Sequence, residues 1–193
     1  ELVKLSVVTT DEYRDSSLWK IIKKRLSWLS INIFLNLTAA SVIAFYEDTL
    51  SAVIALAFFL PIISDMSGCS GMQAVAVSVR DLALQKILPS DYGRVLRKEL
   101  LVGLVNGLAL GAIIGIVAYF LKGIPMLGVV VTLALWINTI LAVSFGGVVP
   151  LLVKYYKFDP AIASGPILTT ITDIMGFFIL LSLATLWLHY LTP

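Results

Sequence analysis

Long apolar segments separated by short charged connections make up most of the chain. Five of them contain the roughly 20 apolar residues that a helix needs to cross the hydrocarbon layer of a bilayer. They span residues 27–46, 50–79, 100–121, 126–153 and 160–190. The second and fifth are longer than needed and carry internal Pro and Gly, so we expect tilts, kinks or local breaks in them. The pattern predicts an all-α integral membrane protein with five transmembrane helices per subunit.

The stretch SSLWKIIKKRLSWLS before the first span combines Trp, Ile and Leu with a cationic face. It predicts an amphipathic juxtamembrane helix over residues 17–26, with its basic side chains against anionic lipid at the inner surface. A membrane anchor is the simpler interpretation, and a lever that connects to a regulatory domain is the alternative. Residues 1–16 are polar and are interpreted as an N-terminal tail or the remnant of a cytosolic region, because no signal-peptide pattern is present.

The composition agrees with a membrane protein and narrows its partners. Hydrophobic residues make up 59% of the chain and charged residues 13%, whereas soluble domains carry roughly a quarter charged residues. The net charge of +2 and the lack of a basic-aromatic patch predict no nucleic-acid partner. A single cysteine excludes an intramolecular disulfide and a cysteine-cluster metal site. Membrane lipid is the expected surrounding.

The basic residues predict the orientation. Of the 14 Lys and Arg, all but Lys122 lie before the first span or in the connections after the second and fourth spans. Because cytoplasmic connections carry the excess of Lys and Arg, the N-terminus is expected in the cytoplasm and the C-terminus outside. We therefore expect a multi-pass protein of the cell inner (plasma) membrane.

The third span contains four glycines spaced by four residues, in GLVNGLALGAIIG. These glycines, Gly103, Gly107, Gly111 and Gly115, lie on one helical face. A face without side chains lets another backbone approach closely, so the stripe predicts tight packing against a neighbouring helix.

The second span contains PIISDMSGCSGMQ, in which Pro61, Asp65, Gly68 and Met72 share a face and Cys69 lies beside it. Pro61 leaves one backbone carbonyl without its helical donor, and the glycines allow the helix to loosen. Freed carbonyls at membrane depth are tolerated where protein or a water-filled cavity satisfies them. Two interpretations of Asp65 stay open here: it lines a pore, or it is a protonated or paired structural carboxyl.

The fifth span carries the densest set of oxygen-bearing groups. In SGPILTTITDIMG, the residues Pro166, Thr169, Thr170 and Asp173 project to one side, and Gly165 precedes the proline. This face offers a carboxylate, hydroxyls and accessible carbonyls, which are the ligands that hard cations prefer. The single histidine of the chain lies at the outer end, so zinc and copper are disfavoured.

The face of the fifth span offers one carboxylate per chain, Asp173, and this number favours Mg²⁺. Mg²⁺ keeps most of its waters and is usually held by one or two carboxylates. A chain of five spans is small for a self-contained transporter, which favours a homodimeric bundle. If Asp173 from two subunits met at a twofold axis, two carboxylates would face one hydrated divalent ion. The alternative is that Asp173 is hydrogen-bonded within the bundle.

Three segments, PIISDMSGCSGMQAVAVSVRDLAL, RKELLVGLVNGLALG and KFDPAIASGPILTTITDIMGFF, resemble the transmembrane domain of MgtE-type magnesium channels and transporters. They occur in the family's order and spacing, so residues 17–193 are interpreted as an MgtE-like transmembrane pore domain. The resemblance implies a homodimer with a central pore, an inward N-terminus and no organic cofactor, with Mg²⁺ as the transported ion. It also implies a divalent-ion site at Asp173 that uses the backbone carbonyl of Thr169.

The resemblance further implies that the second and fifth spans line the pore. This places Gly165, Thr170, Asp65, Gly68 and Cys69 along the ion's path. The family's second-span motif usually reads Gly-Gly-Asn-x-Gly-x-Gln, and here the thiol of Cys69 stands in place of the Asn amide. A thiol is a weak acceptor, so ion preference or rate at that level is expected to differ. Bacterial members also carry cytosolic domains that sense magnesium, and no magnesium-sensing gate is expected within these residues.

The predicted function is therefore passage of Mg²⁺ through a pore at a dimer interface, and not an enzymatic reaction. Exchange of magnesium coupled to sodium by the same fold is the alternative, in which Asp65 serves the coupling ion. An intramembrane aspartyl protease is disfavoured because the usual Gly-x-Gly-Asp context is missing around both aspartates. A noncatalytic partner subunit is the remaining class. Selectivity among Mg²⁺, Mn²⁺, Co²⁺ and Ca²⁺ is not predicted.

Overall fold

The computed structural model describes residues 17–157 and 160–192, without the side chains at positions 20, 24, 28 and 160–164. Within these residues the chain forms seven α-helices, and a short 3-10 turn, Pro89–Asp91, precedes α4. The helices are α1 (Leu18–Phe45), α2 (Glu47–Ala52), α3 (Ala55–Ala83), α4 (Tyr92–Lys122), α5 (Pro125–Tyr155), α6 (Pro160–Leu186) and α7 (Leu188–Leu191). Five of them, α1, α3, α4, α5 and α6, are long and apolar enough to cross a membrane. The all-α membrane fold with five spans is confirmed.

The first span differs in outline from the prediction. The amphipathic stretch 17–26 and the apolar stretch 27–46 lie in one continuous helix, α1, with no break between them. A juxtamembrane helix distinct from the first span therefore stays a prediction. The tail assigned to residues 1–16 lies outside the described residues.

Helix breaks occur near the ends of the long spans and not at their internal prolines. Pro61 lies inside α3 and Pro166 inside α6, and both helices continue through them. The helical conformation is interrupted instead before α3, where α2 ends at Ala52, and at Trp187 between α6 and α7. A proline removes one backbone hydrogen bond, which neighbouring helices and hydroxyl side chains can compensate inside a membrane bundle.

A tight turn joins α4 to α5. Gly123 ends α4 with φ of 69°, a left-handed conformation that favours glycine, and its N–H donates to the carbonyl of Tyr119 (2.7 Å). Pro125 then begins α5 at a position where its missing N–H costs nothing. This short connection makes α4 and α5 antiparallel neighbours.

Helix α5 is the centre of the bundle and packs against α3, α4 and α6. Its first half joins the first part of α3 and the last part of α6 in one apolar core, which includes Phe59, Ile63, Leu135 and Leu181. Helix α1 packs mainly on α6 and leaves most of its surface exposed. The core therefore fixes α3, α5 and α6 relative to one another, and these helices carry the candidate site.

The glycine stripe of α4 packs against α5, as predicted. All four glycines are buried. A Cβ atom at Gly111 would lie 2.6 Å from the carbonyl oxygen of Thr132, and one at Gly107 would lie 3.0 Å from that of Trp136. Two side chains of α5 also donate across this contact, Thr132 to the Gly111 carbonyl (3.1 Å) and the Trp136 indole to the Leu104 carbonyl (3.0 Å). The stripe is a helix-packing surface.

Candidate functional site

Asp173 lies in the middle of α6, half-buried, at the side of the helix that faces α3. The hydroxyl of Ser64 on α3 donates a hydrogen bond to its Oδ1 atom. Among the described residues, Ser64 is the one hydrogen-bond partner of this carboxylate. A single hydroxyl compensates a carboxylate at membrane depth only in part, because protein has replaced about half of the water around the charged group.

The hydroxyls of the threonines near Asp173 donate hydrogen bonds to backbone carbonyls of their own helix, α6. The hydroxyls of Thr169 and Thr170 both donate to the carbonyl of Pro166, at 3.1 Å and 2.8 Å. The carbonyl of Thr169, one turn before Asp173, accepts a hydrogen bond from the hydroxyl of Thr172 (2.9 Å). A ligand water at the Thr169 carbonyl would therefore share this oxygen with Thr172.

The second-span residues predicted to line a pore separate into two groups. Gly68 is buried at the contact between α3 and α6, where its added Cβ would lie 3.6 Å from Thr172 Oγ1. Asp65 and Cys69 are exposed one helical turn apart, with 4.0 Å between the Cys69 sulfur and Asp65 Oδ1. No hydrogen bond or ion pair among the described residues joins Asp65 or Cys69 to Asp173.

Gly165 lies about one helical turn before the paired threonines, at the same α3–α6 boundary. An added Cβ there would meet only the end of the Met72 side chain, at 3.9 Å. The small residue keeps the surface of α6 open at this level. The exposed Thr169 on α6 and the exposed Asp65 and Cys69 on α3 lie on two helices that pack against each other.

The neighbouring helices α3 and α6 thus expose a carboxylate, a thiol and a hydroxyl within the apolar spans of a single chain. The Asp65 carboxylate does not face lipid without a large cost, because lipid supplies no hydrogen-bond partners. A second protein surface or water must therefore surround it.

A buried polar network beside Asp173 escaped the sequence-based reasoning. The amide of Asn138 on α5 is fully buried and donates to Ser67 Oγ on α3 (2.5 Å) and to the carbonyl of Thr172 on α6 (3.2 Å). One signal could have found it: an amide in an otherwise apolar membrane helix is costly and faces the bundle interior. The network joins the three helices around the site.

Within the described residues, no three His, Cys, Asp or Glu side chains come together in a cluster that could hold a metal ion.

Comparison with known proteins supplies the family. A family model described as a divalent cation transporter, MgtE, matches residues 60–183. The magnesium transporter MgtE of Bacillus subtilis is 36% identical over 168 residues, which are 87% of this chain and 37% of the relative. That of Enterococcus faecalis is 36% identical over 186 residues, 96% of this chain and 41% of the relative.

A third relative shows the same extent. The magnesium transporter MgtE of Thermus thermophilus is 35% identical over 165 residues, 86% of this chain and 36% of the relative. The chain thus spans between 36% and 41% of the length of these curated relatives. All three carry the name of a transporter and none that of an enzyme, in agreement with the non-enzymatic function expected from the sequence.

Proposed function

Because the chain belongs to the MgtE family of divalent cation transporters, we propose that it carries Mg²⁺ across the membrane through a pore between two copies. Hydrated Mg²⁺ is the substrate, and Asp173 of each copy binds it through the ion's waters. The observation that carries the proposal is the half-buried Asp173 carboxylate, whose one hydrogen-bond partner among the described residues is a serine hydroxyl. A passing cation supplies the compensation that the protein leaves incomplete.

The chemistry of the surrounding surface supports a hydrated, hard ion. Oxygen atoms from Thr169 and Thr170 border Asp173, and the nearby Gly165 keeps the surface free of a bulky side chain. Two such surfaces facing each other across a twofold axis would form a path with oxygen ligands on both sides. The water-filled path between the copies would also hydrate Asp65 and Cys69, which are exposed in a single chain.

The membrane potential is sufficient to drive uptake in the proposed orientation. With the basic connections in the cytoplasm, the N-terminus lies inside and the C-terminus outside the inner (plasma) membrane. An inside-negative potential contributes about 2.3 kcal/mol per elementary charge per 100 mV, so a divalent cation gains about twice that. Passive entry of Mg²⁺ needs no further energy source.

Flux measurements in liposomes test the proposed function. Purified protein in vesicles with an inside-negative potassium diffusion potential is expected to admit Mg²⁺ in sodium-free buffer, at a rate that rises with the potential. Empty vesicles carrying the same potential are the control. Flux that requires a sodium gradient would indicate exchange instead of a pore, and no flux of any divalent cation would contradict the proposal.

The single cysteine provides a second test of the pore. Cys69 is exposed on α3, and in the proposed dimer it faces water, so a charged, membrane-impermeant methanethiosulfonate reagent is expected to reach it and block most of the Mg²⁺ flux. The Cys69→Ser variant has no thiol and is the matched control, which should retain its flux in the same reagent. Labelling by membrane-permeant reagents alone would place Cys69 against lipid and argue against a path along α3.

A further inference from the structure

The buried amide of Asn138 has a defined hydrogen-bond role in the centre of the bundle. Its Nδ2 atom donates to Ser67 Oγ and to the backbone carbonyl of Thr172. The direction of both bonds follows from the partners: a carbonyl only accepts, and the Ser67 hydroxyl donates its own hydrogen to the carbonyl of Ile63 (2.6 Å). The Oδ1 atom of Asn138 has no partner in the described part of the chain, so the side chain acts through its donor group.

Both hydrogen-bond partners of Asn138 are close in the chain to residues of the proposed ion site. Ser67 is in the same helical turn as Ser64, which donates to Asp173. Thr172 directly precedes Asp173, and its hydroxyl donates to the carbonyl of Thr169. A single amide on α5 therefore links the turn of α3 that orients the carboxylate with the turn of α6 that carries it.

Gly176 gives the amide its place against α6. An added Cβ at this position would lie 2.7 Å from Asn138 Nδ2 and 3.5 Å from its Cγ, so a larger residue would push the amide away from α6. Gly176 is three residues after Asp173 and is buried. The spacing of the Asp and the Gly in TDIMG thus places the carboxylate and, one turn later on the same face of α6, the small residue against which the amide packs.

From this geometry we propose that Asn138 is a positioning residue for the ion site, which fixes the distance and register between α3 and α6. It holds the Ser64 hydroxyl, the Asp173 carboxylate and the Thr169 carbonyl in one arrangement without touching the ion. The inference rests on the proposed function. It predicts that loss of the amide weakens ion binding more than it lowers the number of folded transporters.

The test compares the half-saturating Mg²⁺ concentration with the maximal flux, both measured in liposomes on protein that elutes as a single folded species. Asn138→Leu keeps a similar volume and removes both hydrogen bonds. It is expected to raise the half-saturating concentration about tenfold, the lower range for loss of a group that supports a metal ligand. A purely structural role would lower only the maximal flux, because fewer active molecules leave the affinity of each unchanged.

Two further variants keep the test decisive if Asn138→Leu does not fold. Ser67→Ala removes one arm of the network and should raise the half-saturating concentration about threefold, the average effect of one hydrogen bond between membrane helices. Gly176→Ala displaces the amide without altering it and should shift the same parameter in the same direction. Unchanged half-saturation in the folded variants would overturn the role of Asn138.

Thr139 provides the matched control on the same helix. Its hydroxyl is buried and has no hydrogen-bond partner among the described residues, so Thr139→Val should leave the half-saturating concentration unchanged. A shift in Thr139→Val as large as that in Asn138→Leu would show a general effect of altering α5 and overturn the inference. Parent protein without Mg²⁺ flux, or with flux that survives Asp173→Ala, would instead contradict the proposed function itself.

Discussion

Replacing Asp173 with alanine is expected to reduce Mg²⁺ flux, measured well below the half-saturating concentration, by at least about 30-fold while the protein still folds. At about 4 Å, one carboxylate attracts a divalent cation by about 2 kcal/mol at the permittivity of water and by about 8 kcal/mol at an effective permittivity of 20. The lower value corresponds to about 30-fold in binding, and the contribution of a second copy increases it. Flux of ²⁸Mg²⁺ into liposomes, normalised to folded protein, measures the effect.

Variants of similar shape separate charge from packing. Asp173→Asn keeps the size of the side chain and its hydrogen bond with Ser64, removes the charge, and should lose flux as Asp173→Ala does. Asp48→Ala removes an exposed carboxylate from α2, outside the proposed pore, and should transport as the parent does. Parental flux in Asp173→Asn would mean that the carboxylate is a structural group hydrogen-bonded within the bundle.

The five spans could be predicted from the sequence because hydrophobic length alone decides whether a segment crosses a bilayer. Their ends were harder to place, since local turns decide them. The second span was predicted to begin at residue 50, but the chain turns after α2 and α3 begins at Ala55. The boundary predicted between the amphipathic stretch 17–26 and the first span stays a prediction, because both parts lie in one continuous helix, α1.

In the candidate site, contacts within one helix could be predicted from the sequence and contacts between helices could not. Asp173 and the carbonyl of Thr169 are one turn apart on one helix, so their proximity follows from the sequence. The contacts of Ser64 with Asp173 and of Asn138 with Ser67 depend on how α3, α5 and α6 are rotated against each other. That rotation is set by the packing of small residues such as Gly71 against Ala142, which a single sequence does not reveal.

The glycines of the second span illustrate the difference. They were interpreted as places where the helix loosens, yet α3 is continuous through them. Gly71 is buried where an added Cβ would lie 2.8 Å from the carbonyl of Ala142, so it allows α3 to approach α5 closely. Glycine at membrane depth serves helix contact as readily as flexibility, and only the positions of neighbouring backbones distinguish the two.

The close contact of α4 with α5 leads to the second large effect, in Gly111→Ala. The added Cβ would lie 2.6 Å from the Thr132 carbonyl, and because that atom is backbone, the helices must separate. Separation also lengthens the hydrogen bond from the Thr132 hydroxyl to the Gly111 carbonyl. We expect the free energy of unfolding to fall by about 1–3 kcal/mol, the usual range for overpacking. The variant should therefore unfold at a lower temperature than the parent in detergent.

Gly93→Ala is the matched control for this prediction, since it makes the same change on the same helix. A Cβ at Gly93 would meet nothing within 4 Å, so this variant should unfold at the parental temperature or slightly above it, because alanine favours helix over glycine. The contrast between the two variants isolates the helix contact from the intrinsic preference of the residue. Equal unfolding temperatures for Gly111→Ala and Gly93→Ala would show that α4 can move away from α5 at little cost, and that the glycine stripe does not hold this pair together.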